Sequence, residues 1–115
     1  MPAKKRLIIG LVETVILENK KKYKAKIDTG ADSSSIDESI LESLPEKKTI
    51  SHKIIKSALG RVRRPTKMVE IELQGKKFNE KFTISNRKDL KYKILIGQDI
   101  LKKEGFLIDP LKEHK

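Results

Sequence analysis

The hydrophobic positions of this chain fall mostly at every second residue, in short runs broken by Gly, Pro, Asn and Asp, a pattern of strands with one buried face. Residues 7–17 are rich in Ile, Leu and Val and predict a strand, with Gly10 as the point for a bend. Glu18-Asn19-Lys20 predicts a turn. Residues 22–27 then alternate, with Tyr23, Ala25 and Ile27 on one face and Lys22, Lys24 and Lys26 on the other. Two antiparallel strands thus lead into Asp28. Residues 33–36 are polar but β-compatible, and Asp37 is placed to cap a short helix reaching Leu44, with Ile40, Leu41 and Leu44 on one side. A strand over residues 49–59, a reversal at Gly60 and a second extended run from Pro65 follow. Residues 68–73 alternate, Gln74-Gly75 is a hairpin turn, and Phe78, Phe82 and Ile84 return on the partner strand. Beyond a polar loop over residues 86–91, the wholly apolar Ile94-Leu95-Ile96 predicts a buried central strand ended by Gly97. Residues 98–104 have helical spacing, Gly105 is placed to end that helix, and residues 106–108 predict a last strand before Asp109-Pro110. Mostly β with one or two short helices and no internal repeat, the chain is expected to form a small closed barrel. One domain is expected over residues 6–110, between a basic tail at 1–5 and a C-terminal tail at 111–115.

Composition narrows the chemistry. In 115 residues, hydrophobic residues are 37% and aromatics 4%, so the core is expected to be Ile, Leu and Val. Such a core is thin for the length, which favours burial between subunits. There is no cysteine, so disulfides, thiolate metal sites and a Cys nucleophile are excluded. His52 and His114 are the only histidines and show no metal-ligand spacing; no metal and no cofactor are expected. No apolar run approaches the roughly 20 residues that span a bilayer. The apolar stretch after the basic start is shorter than the roughly 7–15 residues of a signal peptide, so a cytoplasmic location is expected. The net charge of +11 suits a polyanionic partner: nucleic acid, an acidic lipid surface or an acidic peptide. A Lys- and Glu-rich surface of thermophilic type gives the same composition.

The segment Asp28-Thr29-Gly30-Ala31-Asp32 carries the chemistry. Asp-Thr-Gly after an apolar-faced strand is how an aspartic protease presents a catalytic carboxylate. Two such carboxylates share one proton, because both cannot be ionised at that distance. The chain has one such motif, so the active unit is expected to be a homodimer. Asp28 would act on water and on the scissile carbonyl. The Thr29 hydroxyl would lock the paired loops. Gly30, lacking Cβ, lets its N–H approach the carboxylate, and small Ala31 leaves room for a substrate backbone. Asp, Thr and Gly are also ordinary turn formers.

Together with Ile94-Leu95-Ile96-Gly97 and the helix after it, this segment resembles the retropepsins, the single-domain, dimeric aspartic proteases of retroviral type. A closer resemblance is to the cellular family labelled "ATP-dependent zinc protease", which occurs with ATP-grasp ligases that add glutamates. Lys24 to Ala31, Lys56-Ser57 with Gly60, Arg64-Pro65, residues 94–97 and Leu107-Ile108-Asp109-Pro110 carry it. It implies an aspartic endopeptidase acting on acidic, glutamate-tailed substrates, independent of metal. No Gly-x-x-x-x-Gly-Lys-Ser/Thr loop supports the ATP label. The nearer family has Arg at the positions of Asp32 and Gln98, and retropepsins pair the Asp with an Arg at the position of Gln98. A buried Asp32 would lack that partner, leaving Arg61, Arg63, Arg64 or Arg87 as candidates. The resemblance also implies a flap around residues 57–62 that closes over the substrate. Ala31, Asp32, Lys56, Ser57, Arg61, Arg63 and Arg64 are the expected substrate-binding residues, the basic ones taking substrate carboxylates. Two alternatives stand beside the peptidase: an inactive retropepsin-like binding module, and a basic nucleic-acid-binding protein.

Overall fold

A computed structural model describes residues 6–112; the segments 1–5 and 113–115 of the two expected tails lie outside the described residues. The run predicted over residues 7–17 divides at Gly10 into β1 (Ile8–Ile9) and β2 (Val12–Leu17). The break has a local cause. The Gly10 N–H donates to Glu13 Oε2 at 2.7 Å. A Cβ on Gly10 would lie 2.6 Å from the carbonyl oxygen of Lys112, so glycine lets the C-terminal segment cross here. β3 (Lys22–Ile27) returns antiparallel to β2, as the alternation predicts. β4 (Ser35–Asp37) leads into a single helical turn, α1 (Glu38–Leu41), shorter than the helix expected to reach Leu44. The Asp37 carboxylate does cap it, accepting from the Ser39 N–H at 3.1 Å.

β5 (Ser51–Ser57) and the fourteen-residue β6 (Gly60–Leu73) form a long hairpin. The second strand starts at Gly60, not at Pro65 as expected. Leu73 and Lys76 flank a two-residue turn in which Gln74 and Gly75 both have positive φ. The closing pair is hydrogen-bonded, so odd residues of β6 bond towards β7 (Lys76–Ser85) and even ones towards β5. Pro65 is odd and lies one residue beyond the last β6–β7 pair, Thr66 with Thr83, so its missing N–H removes no ladder bond. β8 (Ile94–Ile96), α2 (Gln98–Glu104) and β9 (Leu107–Ile108) complete the chain, and Gly105 ends α2 in the left-handed region at φ 71°.

The main sheet runs β2-β3-β8-β4-β7-β6-β5, and β2 also pairs with β6. Those contacts close six strands into the expected barrel, with β5 carried outside the ring on β6. A separate parallel pair joins β1 to β9. Ile36, Ile71, Leu73, Phe82, Ile94, Ile96 and Ile100 are fully buried in the interior, which is mainly Ile, Leu and Val as expected but also takes in Phe78, Phe82 and Phe106. β8 lies between β3 and β4, parallel to the first. Ile27 is level with Ile96, so the segments after β3 and β8 leave the barrel side by side. That juxtaposition builds the site. No helix among the described residues is long and apolar enough to cross a membrane.

Candidate active site

Asp28 is the first residue beyond β3, and its N–H donates to the carbonyl of Ile96 at 2.9 Å, stitching it to the neighbouring strand end. The chain then turns tightly, with the Ala31 N–H on the Asp28 carbonyl at 3.2 Å. The turn brings the Gly30 N–H to Asp28 Oδ1 at 2.9 Å, the contact expected of that glycine. A Cβ at Gly30 would stand 3.3 Å from the same oxygen, so any side chain there presses on the carboxylate. Oδ2 lies 4.0 Å from Lys26 Nζ, and the Asp28 side chain is 30% exposed. The carboxylate therefore faces outward from the barrel end with one oxygen oriented. Thr29 and Gly30 are exposed beside it.

The loop is held from behind by the start of α2. Gln98 N–H donates to the Ala31 carbonyl at 2.8 Å, and Gln98 Nε2 to the Thr29 carbonyl at 2.6 Å. Where the resemblance anticipates an arginine for Asp32, this chain has an amide that braces Thr29 instead. Gly97 packs so closely that a Cβ would lie 2.7 Å from the Ala31 carbonyl oxygen and 2.9 Å from the Ser33 backbone. Ser34, 1% exposed, completes the clamp. Its hydroxyl donates to Asp99 Oδ1 at 2.7 Å and accepts the Gly97 N–H at 2.8 Å. Asp99 also accepts the N–H groups of Ser34 and Ile100. The sequence reading missed this pair, although Asp99 stands two residues after the Gly97 it singled out.

Asp32 is exposed, not buried, so water solvates it and no arginine partner is required. Arg87, one candidate for that role, donates to the Tyr92 carbonyl and the Ser35 hydroxyl. Burial lowers the pKa of its guanidinium, opposed in part by the charges of Asp37 and Asp28.

A cavity of about 250 Å³ opens between the Asp32-Ser33 segment and the base of the β5–β6 hairpin. Ser51, His52 and Lys53 of β5, Thr66 of β6, and Lys81 and Thr83 of β7 line it, with Asp99 at the back. Side chains alternate along a strand and register partners share a face. Ser51 is opposite Thr66, Lys53 opposite Arg64 and Ile55 opposite Val62, so these share the cavity face. Lys56 opposite Arg61, and Ile54 opposite Arg63, occupy the other face; His52, at the hairpin base, alternates with them but also borders the cavity. Of the basic residues proposed from sequence, Arg64 shares the cavity face, while Lys56, Arg61 and Arg63 do not. Ser57 is the last residue of β5, at the turn. Lys53 and Lys81 are cavity residues the sequence reading missed; alternation from Arg64 through the hairpin register is the signal for Lys53. Among the described residues no group of three or more His, Asp or Glu side chains converges to hold a metal ion.

Comparison with known proteins follows this geometry. The sequence family described as "gag-polyprotein putative aspartyl protease" matches residues 14–103. A protein of unknown function (DUF785) from Legionella pneumophila has a similar structure, with TM-score 0.71, 22% identity, and coverage of 96% of this chain and 98% of that one. EIAV protease complexed with the inhibitor HBY-793 gives TM-score 0.64 at 22% identity over 90% of this chain and 91% of that one. The protease of simian foamy virus (mac) gives 0.61 at 22% identity over 79% and 91%. At these identities the likeness is one of fold. No curated protein sequence matches the chain.

Proposed function

Since the chain belongs to the gag-polyprotein aspartyl protease family and has a retropepsin-like fold, we propose that it is an aspartic endopeptidase working as a homodimer, one Asp28 from each copy. The observation that carries this reading is the partly exposed Asp28 carboxylate, oriented by the Gly30 N–H at the end of a closed barrel. One carboxylate is half of a dyad. In the paired site the ionised Asp28 takes a proton from water, whose oxygen bonds to the peptide carbonyl carbon. The protonated Asp28 gives its proton to the carbonyl oxygen. Collapse of the resulting diol, with a proton passing to the amide nitrogen, breaks the C–N bond.

A groove of about 430 Å³ beside Thr29, lined by Leu101, Phe106 and Ile108 with Gln98, supports docking of the second copy at this end of the barrel. The substrate is an acidic segment, in keeping with the resemblance to the cellular "ATP-dependent zinc protease" family and its functional link to glutamate-adding ATP-grasp ligases. The cavity supports this through Lys53 and Lys81 in its lining, with Arg64 directly opposite Lys53 on the same hairpin face. Asp32, exposed at the mouth, is suited to accept substrate backbone N–H groups. We place the activity in the cytoplasm, in one domain over residues 6–110.

The test is a cleavage assay read by mass. The protein and Asp28→Asn are incubated with a glutamate-tailed peptide and a neutral control, with oligomeric state measured alongside. Cleavage of the acidic peptide by the native chain alone is expected. A dimer that cleaves neither peptide across a pH range would make the binding-module reading the better one.

A further inference from the structure

The face of the β5–β6 hairpin that turns away from the cavity is also strongly basic. Residues 47–69 hold eight Lys and Arg and no Asp or Glu. On the outer face Lys56 and Arg61 are register partners, directly opposite each other, and Arg63 follows two residues along. All three are exposed, and none is ion-paired among the described residues. Arg63 Nη2 lies 3.2 Å from Nδ1 of His52, the residue at the hairpin base that also borders the cavity. Like charges directly opposite one another destabilise a strand pair. The arrangement therefore opposes the hairpin's own stability, and a bound anion would remove that cost.

The recognition chemistry is further constrained. Alternate residues of a strand stand about 7 Å apart, so Arg61 and Arg63 match alternate acidic side chains of an extended peptide. Ile54, 57% exposed, sits among the cations and offers an apolar seat. No Phe, Tyr or Trp occurs between Tyr23 and Phe78, and His52 is the one aromatic ring on the hairpin, so a run of platforms for stacking successive bases is lacking. These features favour an acidic polypeptide over a nucleic acid. We propose that the outer face of the β5–β6 hairpin, through Lys56, Arg61 and Arg63, is a second docking surface for an extended acidic polypeptide, outside the catalytic cleft. It deepens the acidic-substrate reading, because the same chain would run from the cavity over the hairpin.

The experiment separates docking from catalysis by using the full chain carrying Asp28→Asn, which binds without cleaving. Fluorescence anisotropy is measured with labelled oligo-glutamate peptides of two lengths, one short enough for the cavity and one about three times longer, and with single-stranded oligo-uridine. The outer variant is K56T/R61T/R63T and the inner variant is K53T/R64T. The outer variant is expected to weaken the long peptide at least about tenfold, as three exposed charge contacts would, and to leave the short one unchanged. The inner variant should weaken both. Unchanged affinity of the outer variant for the long peptide overturns the proposal, as does absence of binding, or tighter binding of oligo-uridine through the same residues. If the triple variant does not fold, Arg61→Gln and Arg63→Gln carry the test, each with an expected loss of about two- to fivefold. Cleavage by the native chain is scored separately. Docking without cleavage would remove the peptidase reading and keep this one; cleavage of the long peptide unaffected by the outer variant at sub-saturating concentration would do the reverse.

Discussion

Ser34→Ala removes a single oxygen from the clamp behind the Asp28 loop, and its cost can be worked out atom by atom. The Ser34 hydroxyl donates to Asp99 Oδ1 at 2.7 Å and accepts the Gly97 N–H at 2.8 Å, in a residue only 1% exposed. Without it the Gly97 N–H is buried with no acceptor, which costs about 1–3 kcal/mol. Asp99 also loses a hydrogen bond of the charged class, about 1.5–3 kcal/mol, although the Ser34 and Ile100 N–H groups remain on it. The expected destabilisation is about 3–5 kcal/mol, a large share of the roughly 5–15 kcal/mol that holds a domain folded. Asp99 is half-buried at the back of the cavity, so water can replace part of what its carboxylate loses and the lower end of that range is expected, whereas the Gly97 N–H stays buried.

The assay is urea unfolding of the native chain, Ser34→Ala, Asp99→Ala and the double variant at one protein concentration. Because Ser34 and Asp99 act through one network, the second substitution should cost less once the first is made, giving a coupling of about 1–3 kcal/mol. A loss below about 1 kcal/mol for Ser34→Ala, or additivity within about 0.5 kcal/mol, would refute the clamp. In the peptidase assay the folded fraction of Ser34→Ala should lose kcat more than KM, since the clamp positions Asp28 rather than touching substrate.

Gly97→Ala should cost about 1–3 kcal/mol and abolish cleavage, because its Cβ would lie 2.7 Å from the Ala31 carbonyl oxygen and displace the loop; full activity of a folded Gly97→Ala would contradict this. Gln98→Ala should cost about 0.5–1.5 kcal/mol by unfolding, with a fall in activity, since it frees the Thr29 carbonyl held at 2.6 Å; unchanged stability and rate would count against the brace. Burial pushes Asp37 up, but the Ser39 hydroxyl, the Arg87 and Ser39 N–H groups and the Lys93 charge together hold it below its ordinary value. Its contribution to stability is therefore complete above the unfolded value near pH 4 and is lost as pH falls through the lower folded value. Acid unfolding curves should show native stability falling more steeply below about pH 4 than that of Asp37→Asn, and parallel curves would refute the assignment.

The strands and turns were legible where burial is simple. Tyr23, Ala25 and Ile27 alternate because one face of β3 meets the barrel core, and Ile94-Leu95-Ile96 is wholly apolar because Ile94 and Ile96 face that core while Leu95 is half-buried on the other side. Asp28 and Gly30 were legible because their chemistry is local: the contact between them spans two residues. What escaped was decided by tertiary contacts. Glu13 and Glu80 occupy inward positions on β2 and β7 and read as breaks in the pattern, yet each is satisfied after folding. Glu13 takes the Gly10 N–H and Gln74 Nε2, and Glu80 pairs with Lys103 at 3.0 Å. The Ser34–Asp99 clamp joins residues 65 apart, a distance no local pattern encodes.

The basic hairpin shows the same limit and what lifts it. In sequence Lys56, Arg61, Arg63 and Arg64 form one patch, and all four can be assigned to substrate. Register divides them. Arg63 and Arg64 are neighbours in the chain but occupy opposite faces, one beside the cavity and one outside it. A one-residue slip would exchange their roles, so charge density alone cannot say which cation touches substrate. The two-residue turn at Gln74-Gly75 sets which residues of β6 bond β7 and which bond β5. That turn therefore fixes the pairing pattern of the long strand on which Arg64 falls on the face of Lys53 and Arg63 on the opposite one.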